Sequence, residues 1–324
     1  MIDKSAPYVC GARVPRRIWG GTGLSVPVLS FGTQGFGNNF GIVPDEEATA
    51  LMMRAIALGI NHFDCALCYG DSMLKLARAL RMIPRDSVVI SGRVCMHARR
   101  SPLQSGITTA AKARDVVRDV EEQLGLLGIN YFDALLIHDP DDVESTLSPN
   151  GALDGLLACK DLGLTHWIGY GMEPADFHKK VLQTGKVDVL LHFNDYHLLR
   201  QTAAAPGGIL DEASKRNIGV MTGWSILRGL LTDADIKDAT SRGGLTDPND
   251  LLLAQQLRLW AADNNVSLLA VAIQFCLRDA RIHTVPIGSA SIAELEANVR
   301  AATLPLPKSV WDQLAEWQCT FLSK

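Results

Sequence analysis

No run of lysine or arginine exceeds a pair, Arg16-Arg17 and Arg99-Arg100 being two such pairs, and the formal net charge is −4. That balance argues against a surface built to hold nucleic acid or anionic lipid. No apolar stretch approaches membrane-spanning length, and residues 1–17 lack the apolar core of a secretory signal. A cytoplasmic protein is therefore expected. The seven cysteines are odd in number and widely scattered, so reduced thiols are the plain expectation. Only Cys65-x-x-Cys68 has suggestive spacing, and no second pair accompanies it. It reads as packing and loop placement, and no metal is expected. The eight histidines include no His-x-x-x-His pair, which disfavours a metal-dependent hydrolase. A Gly-x-Gly-x-x-Gly fingerprint is missing too. Gly35-Phe36-Gly37-Asn38-Asn39-Phe40-Gly41 misses that spacing by one residue, which argues against an open, doubly wound dinucleotide fold.

What remains is an ordinary apolar content of 47% and a clear rhythm over 324 residues. A turn at Trp19-Gly20-Gly21-Thr22-Gly23-Leu24 joins two short extended pieces, a hairpin over residues 17–29. Strand-like and helix-like segments then alternate. Strands are expected at 28–33, 62–67, 88–94, 132–138, 166–171, 187–194, 218–224 and 283–288. Helices are expected at 45–58, 72–80, 109–127, 153–161, from Pro174, and at 209–216, 251–263, 267–278 and 292–301. A last amphipathic stretch, 310–317, closes the chain. Eight strand-plus-helix units predict an α/β protein with one (β/α)8 barrel over 17–324, preceded by an extension over 1–16. The looser stretches 96–108 and 139–150 follow strands three and four and would rim the barrel mouth.

Three consecutive apolar runs end in ionisable residues. The first ends at Asp64 with Tyr69 close behind, the second leads to Arg93, and the third to His138. In a parallel barrel these groups converge at the carboxyl ends of neighbouring strands, where such folds place their chemistry. Strand alternation puts Asp64 on one face with His62 and Ala66, and Phe63 on the other. A buried carboxylate needs a partner, and Arg93 can supply it. A nearby cation also stabilises phenolate and lowers the tyrosine pKa. Each residue alone reads as an ordinary core group. All four at strand ends read as a proton-transfer site for a carbonyl or alcohol, with something else handling the hydride.

The motifs around these residues resemble those of the aldo-keto reductase superfamily, from about Arg17 to the end. Gly59-Ile60-Asn61-His62-Phe63-Asp64-Cys65-Ala66-Leu67-Cys68-Tyr69-Gly70 is similar to the family's Gly-x-x-x-Phe-Asp-Thr-Ala-x-x-Tyr-Gly, with Cys65 in place of threonine. Leu135-Leu136-Ile137-His138-Asp139-Pro140-Asp141 resembles the histidine motif of the branch of aldose and L-fucose/L-galactose-type sugar dehydrogenases. Asp188-Val189-Leu190-Leu191, Tyr196-His197-Leu198-Leu199 and the early hairpin resemble the same branch. The resemblance implies Tyr69 as general acid/base and His138 as the group that orients the substrate oxygen. Asp64 and position 93 would tune the tyrosine. The family has lysine at position 93, and this chain has Arg93. Arginine keeps the charge and can hold Asp64 twice, but it is effectively never deprotonated.

The resemblance also implies a nicotinamide dinucleotide, NAD or NADP, held in the mouth without a Rossmann motif. Gly32, Thr33 and Gln34 would line it after the first strand. Trp224 stands where an aromatic stacks on nicotinamide, and Ser225, Leu227 and Gly229 belong to the segment that wraps the pyrophosphate. Gly288, Ser289, Ser291, Glu294 and Asn298 match the adenosine-phosphate motif. Glu294 would repel a 2′-phosphate, which favours NAD over NADP. Gly171-Met172 and Phe193 replace the polar residues usual at the carboxamide, with His192, Asn194 and Asp195 close by. Trp19, Cys68, Met96 and the loop after strand four are candidate walls of the substrate pocket. The expected partner is a small sugar, polyol, aldehyde or ketone. Two rivals follow from the same residues: an NAD-retaining lyase or epimerase, and a non-catalytic nucleotide-binding subunit suggested by Arg93.

Overall fold

The computed structural model describes residues 13–38, 41–96, 112–237 and 247–322. The loop 97–108, the start of the 109–127 helix, Arg99-Arg100, Cys10 and residues 1–12 of the extension lie outside them. A hairpin comes first: β1 (Arg16–Ile18) pairs antiparallel with β2 (Ser25–Pro27). Eight parallel strands follow, namely β3 (Leu29–Gly32), β4 (His62–Asp64), β5 (Val89–Cys95), β6 (Phe132–His138), β7 (Thr165–Met172), β8 (Val189–Phe193), β9 (Gly219–Gly223) and β10 (Val285–Ile287). They hydrogen-bond in chain order, and β10 returns to pair with β3. A parallel bridge between Met221 and Thr284 completes the ring. This is the expected (β/α)8 barrel.

Around it run α1 (Asp45–Ala57), α2 (Ser72–Leu80), α3 (Ala113–Leu127), α4 (Val143–Leu147), α5 (Ala152–Asp161), α6 (Ala175–Gln183), α7 (Ile209–Lys215), α8 (Pro248–Asp263), α9 (Leu268–Arg278), α10 (Ile292–Thr303) and α11 (Lys308–Phe321). None of the described helices is long and apolar enough to cross a membrane. Several element ends shift, and two of the local changes have a visible cause. β4 stops at Asp64 rather than 67, because the chain turns once the Cys65 N–H has bonded Ser91 O at 2.9 Å. The 139–150 stretch is not wholly loose, since Asp142 caps α4 by accepting from the Glu144 N–H at 2.9 Å.

Both faces of each strand are covered, so β6 is buried at every position. Leu135 and Ile137 pack outward in the main core cluster with Leu124 and Leu127 of α3, while Ala134 and Leu136 point into the barrel. The same alternation carries His138 inward. The barrel floor is closed by the hairpin. Trp19 is fully buried with its ring 5.1 Å from that of His62, and a Cβ on Gly219 would come within 2.6 Å of the indole. The Gly21 N–H donates to Asn217 O at 2.6 Å. Trp19 therefore plugs the end opposite the mouth and cannot wall a substrate pocket there, contrary to expectation.

Candidate active site

The inward positions of β4, β5 and β6 build one polar chain up the barrel. His62 lies lowest, its Nε2 3.1 Å from Ser91 Oγ. Ser91 donates to Asp64 Oδ1 at 2.9 Å, so the imidazole is the donor to the hydroxyl. Burial lowers the His62 pKa to about 4, in keeping with a neutral ring. Asp64 receives Arg93 through Nε at 3.3 Å and through a second, shorter contact from Nη2. Arg93 Nη1 then donates to Tyr69 OH at 2.7 Å and to His138 Nε2 at 3.0 Å. Four sequence-predicted residues thus meet at one guanidinium. All are buried, Tyr69 being 8% exposed.

Burial pushes the Tyr69 phenol well above its ordinary pKa, with Arg93 opposing that shift and Asp64 adding to it. The expected lowering by a neighbouring cation is present but is outweighed. For Arg93, burial alone would lower the pKa, yet Asp64 and Tyr69 carry it above its ordinary value. A permanently charged arginine is the result.

Tyr69 sits on the turn between β4 and α2, and the turn is held from outside. A Cβ on Gly37 would lie 2.0 Å from the Tyr69 carbonyl oxygen, so only glycine lets the 33–38 segment close over it. Buried Lys75 of α2 reaches back to Phe36 O and Asn38 Oδ1, each at 2.9 Å, and pairs with Asp71 at 3.0 Å.

Across the mouth, Trp224 follows β9 with its ring 5.2 Å from that of Phe193. Arg228 lies over its face, 5.3 Å from the ring centroid. Trp224, Leu227, Arg228 and Gly229 all have positive φ, at 58, 45, 54 and 96°. Such a concentration in six residues is uncommon for non-glycine backbone and characteristic of ligand-holding segments. Leu227 is buried in the core, so only its backbone can face a ligand. Ser225 Oγ is buried and has no hydrogen-bond partner among the described residues. Gly229, Gly288, Glu294 and Asn298 line one cavity of about 280 Å³. Asn298 donates to Ser289 Oγ at 3.1 Å, Ser291 caps α10, and Glu294 accepts from the Ala290 N–H at 2.8 Å. Gly32 lies against Gly288, Thr33 is buried with its hydroxyl 3.4 Å from Ser72 Oγ, and Gln34 is half-buried beside them. A second hollow, of about 320 Å³, lies on the helices beside Asp45 and Arg78, whose charges pair with each other.

A model of the aldo/keto reductase family matches residues 28–318. The chain belongs to that family. It is 28% identical to D-threo-aldose 1-dehydrogenase of Pseudomonas sp, over 91% of this chain and 94% of that protein. It is 25% identical to L-galactose dehydrogenase of Arabidopsis thaliana, over 90% and 89%. Among solved structures, the holo form of an aldo-keto reductase from Bacillus halodurans superposes with a TM-score of 0.78 at 20% identity, covering 94% of this chain and 96% of that one. The protein is therefore an oxidoreductase, and aldo/keto reductases work with nicotinamide cofactors.

Within this aldo/keto reductase several polar residues have places that the sequence did not settle. His192 points to the helix side of β8, where Thr222 Oγ1 lies 2.8 Å from its Nε2 and Asp195 meets its Nδ1. Asn194 is held by Arg200 at 2.6 Å. They are strand-end groups tied to their neighbours. Cys65 is buried in the outer core, so the Cys65-x-x-Cys68 spacing brings no pair together. Cys68 instead meets Cys95 and His138. Sequence reasoning missed Ser91, Lys75 and Cys95. Ser91 and Cys95 were recoverable, since both lie two residues from Arg93 on an alternating strand. Lys75 gave no such signal.

Proposed function

We propose that this oxidoreductase is an NAD-dependent dehydrogenase of aldoses or small polyols, running in reverse as a carbonyl reductase. The observation that carries the reading is Arg93 Nη1, in hydrogen-bond reach of both Tyr69 OH at 2.7 Å and His138 Nε2 at 3.0 Å. A substrate oxygen presented to Tyr69 takes Arg93's place at His138 Nε2, which holds it as the Nε2–H tautomer while Tyr69 exchanges its proton. Both relatives are named as sugar dehydrogenases, which supports an aldose.

The cofactor fits on observations of this chain: the orphaned Ser225 hydroxyl, the left-handed backbone from Trp224 to Gly229, and the cavity at Gly288 and Asn298. Trp224 would cover the nicotinamide, and Ser225, Leu227 and Gly229 would hold the pyrophosphate through backbone and hydroxyl. Gly32, Thr33 and Gln34 would border the ring from the β3 side. Ser289, Ser291 and Asn298 would hold the adenosine end, where Glu294 disfavours a 2′-phosphate. A bound nicotinamide supplies the hydride acceptor or donor.

Tyr69 gives its proton to the substrate oxygen in reduction and takes it in oxidation. Because burial raises the phenol, reduction starts from the form present at neutral pH. Oxidation needs phenolate and speeds up as pH rises. Asp64 fixes the guanidinium, and Arg93 holds the phenol without passing protons. The test is a screen of aldoses with NAD and NADP, followed by NADH absorbance. Tyr69→Phe should cost about 10²–10⁴ in kcat while leaving NAD binding intact. Turnover at the parent rate would refute the role. Stoichiometric NADH release excludes an NAD-retaining lyase or epimerase. A second reading, nucleotide binding without turnover, rests on Arg93. A protein that binds NAD but turns over only as Arg93→Lys would establish it.

A further inference from the structure

Two thiols with no part in the proposed proton transfer lie against its histidine. Cys95 and His138 are directly paired across β5 and β6, and Cys68 immediately precedes Tyr69. Both sulfurs lie 3.5 Å from His138 Nδ1 and 2.9 Å from each other. We propose that Cys68, Cys95 and His138 form a zinc(II) site, and that filling it switches turnover off.

The geometry is close to what zinc requires. With Zn–S near 2.3 Å and Zn–N near 2.0–2.1 Å, tetrahedral donors stand about 3.6 Å apart for S···N and about 3.8 Å for S···S. The two S···N edges are in place, and the sulfurs need to part by roughly 0.9 Å to match that S···S spacing. Two soft donors with one imidazole suit zinc over magnesium or calcium. Among the described residues three ligands are present, and the fourth position of a tetrahedral ion is open to water or another donor. The surroundings complete the site. Asp139 Oδ2 lies 3.3 Å from His138 Nε2, so a ring bound to metal through Nδ1 carries its proton on Nε2 and donates it to that carboxylate. Asp119 is buried near enough for its charge to act on both thiols, and its Oδ1 has no hydrogen-bond partner among the described residues. Burial pushes its pKa up to about 7, a cost that a neighbouring cation removes. Loading replaces two S–H bonds by two Zn–S bonds and releases two protons, with no change of oxidation state.

Zinc at Nδ1 also forces the other tautomer. In the metal-free arrangement His138 Nε2 accepts from Arg93 and can exchange that contact for a substrate oxygen, whereas in the loaded one Nε2–H is engaged by Asp139, so that both Arg93 and the substrate oxygen lose it. This regulatory half rests on the catalytic reading above, while the binding half does not.

Cobalt(II) and zinc(II), added to the full chain under a phosphine reductant, test the two halves separately. One cobalt per chain should bind, with a near-ultraviolet thiolate charge-transfer band and the visible bands of a tetrahedral ion, and zinc should displace it. Cys68→Ser and Cys95→Ser should each weaken binding by about 100-fold or more, while Cys319→Ser, at an exposed thiol elsewhere, should not. Since Cys95 is buried, X-ray absorption at the zinc edge of the unmutated protein gives a reading free of folding effects, expected as two sulfurs and one imidazole. No charge-transfer band, or one that survives both serine variants, overturns the site. Stoichiometric zinc binding with turnover unchanged overturns the switch and leaves the catalytic reading intact.

Discussion

Arg93→Met keeps much of the side-chain stem and deletes the guanidinium, and with it both bonds to Asp64 and those to Tyr69 and His138. Asp64 is then a carboxylate 2% exposed, with Ser91 at 2.9 Å still donating to it. Breaking a buried pair by removing one partner costs about 3–5 kcal/mol. Asp64→Asn alone strands the guanidinium and should cost a similar amount. The double variant strands neither charge, so the two costs should overlap strongly. A coupling of about 2 kcal/mol or more is expected, well above the ~0.3–0.5 kcal/mol scatter of independent sites. Urea unfolding of the four proteins measures it. Additive costs would refute the buried pair. The same cycle read as kcat/KM checks the positioning role. Arg93→Met removes a neighbour that lowers the phenol pKa, so the oxidative pH profile should shift to higher pH, while Ser91→Ala should leave its midpoint largely in place. An unshifted Arg93→Met profile contradicts the proposed role.

Gly37→Ala places a methyl within 2.0 Å of the Tyr69 carbonyl. The turn must move, and activity should fall by more than about tenfold; a variant with full kcat and an unchanged melting temperature would count against this placement. Glu294→Arg should improve NADP affinity relative to NAD by about tenfold or more, read by nucleotide titration; an unchanged ratio removes the charge argument for NAD. His62, His178 and His197 have pKa values lowered by burial from 6.5 to about 4, 4 and 3. Each is neutral in the fold and protonates first in the unfolded chain. Their stabilisation is complete above about pH 6.5 and is lost as pH falls toward 4. Denaturant midpoints that stay flat across that window would contradict their burial.

The barrel was legible because its signals are local. Runs such as 132–138 are apolar at nearly every position, which requires cover on both faces, and the intervening segments repeat at helical spacing. Strand ends were legible to within a few residues for the same reason, and they carried Asp64, Arg93 and His138 to one mouth. Trp19 was misplaced because a hairpin tryptophan has no periodicity to show which end of a barrel it will close. The sequence does not tell which way His192 faces, because one residue at a strand end can face either way, and the observed register beside Thr222 turns it outward.

Chain order alone determined that eight parallel strands would deliver a carboxylate, a cation and an imidazole to a shared rim, since alternation and burial are properties of adjacent residues. Their distances were decided by the folded barrel. Whether Arg93 reaches Tyr69 and His138 at once, whether burial or charge governs the phenol, and whether Cys68 finds Cys95 instead of Cys65 all depend on strand register and on how tightly the β4–α2 turn is pressed inward by Gly37. Those are contacts between segments far apart in sequence, and they arise only when the ring closes.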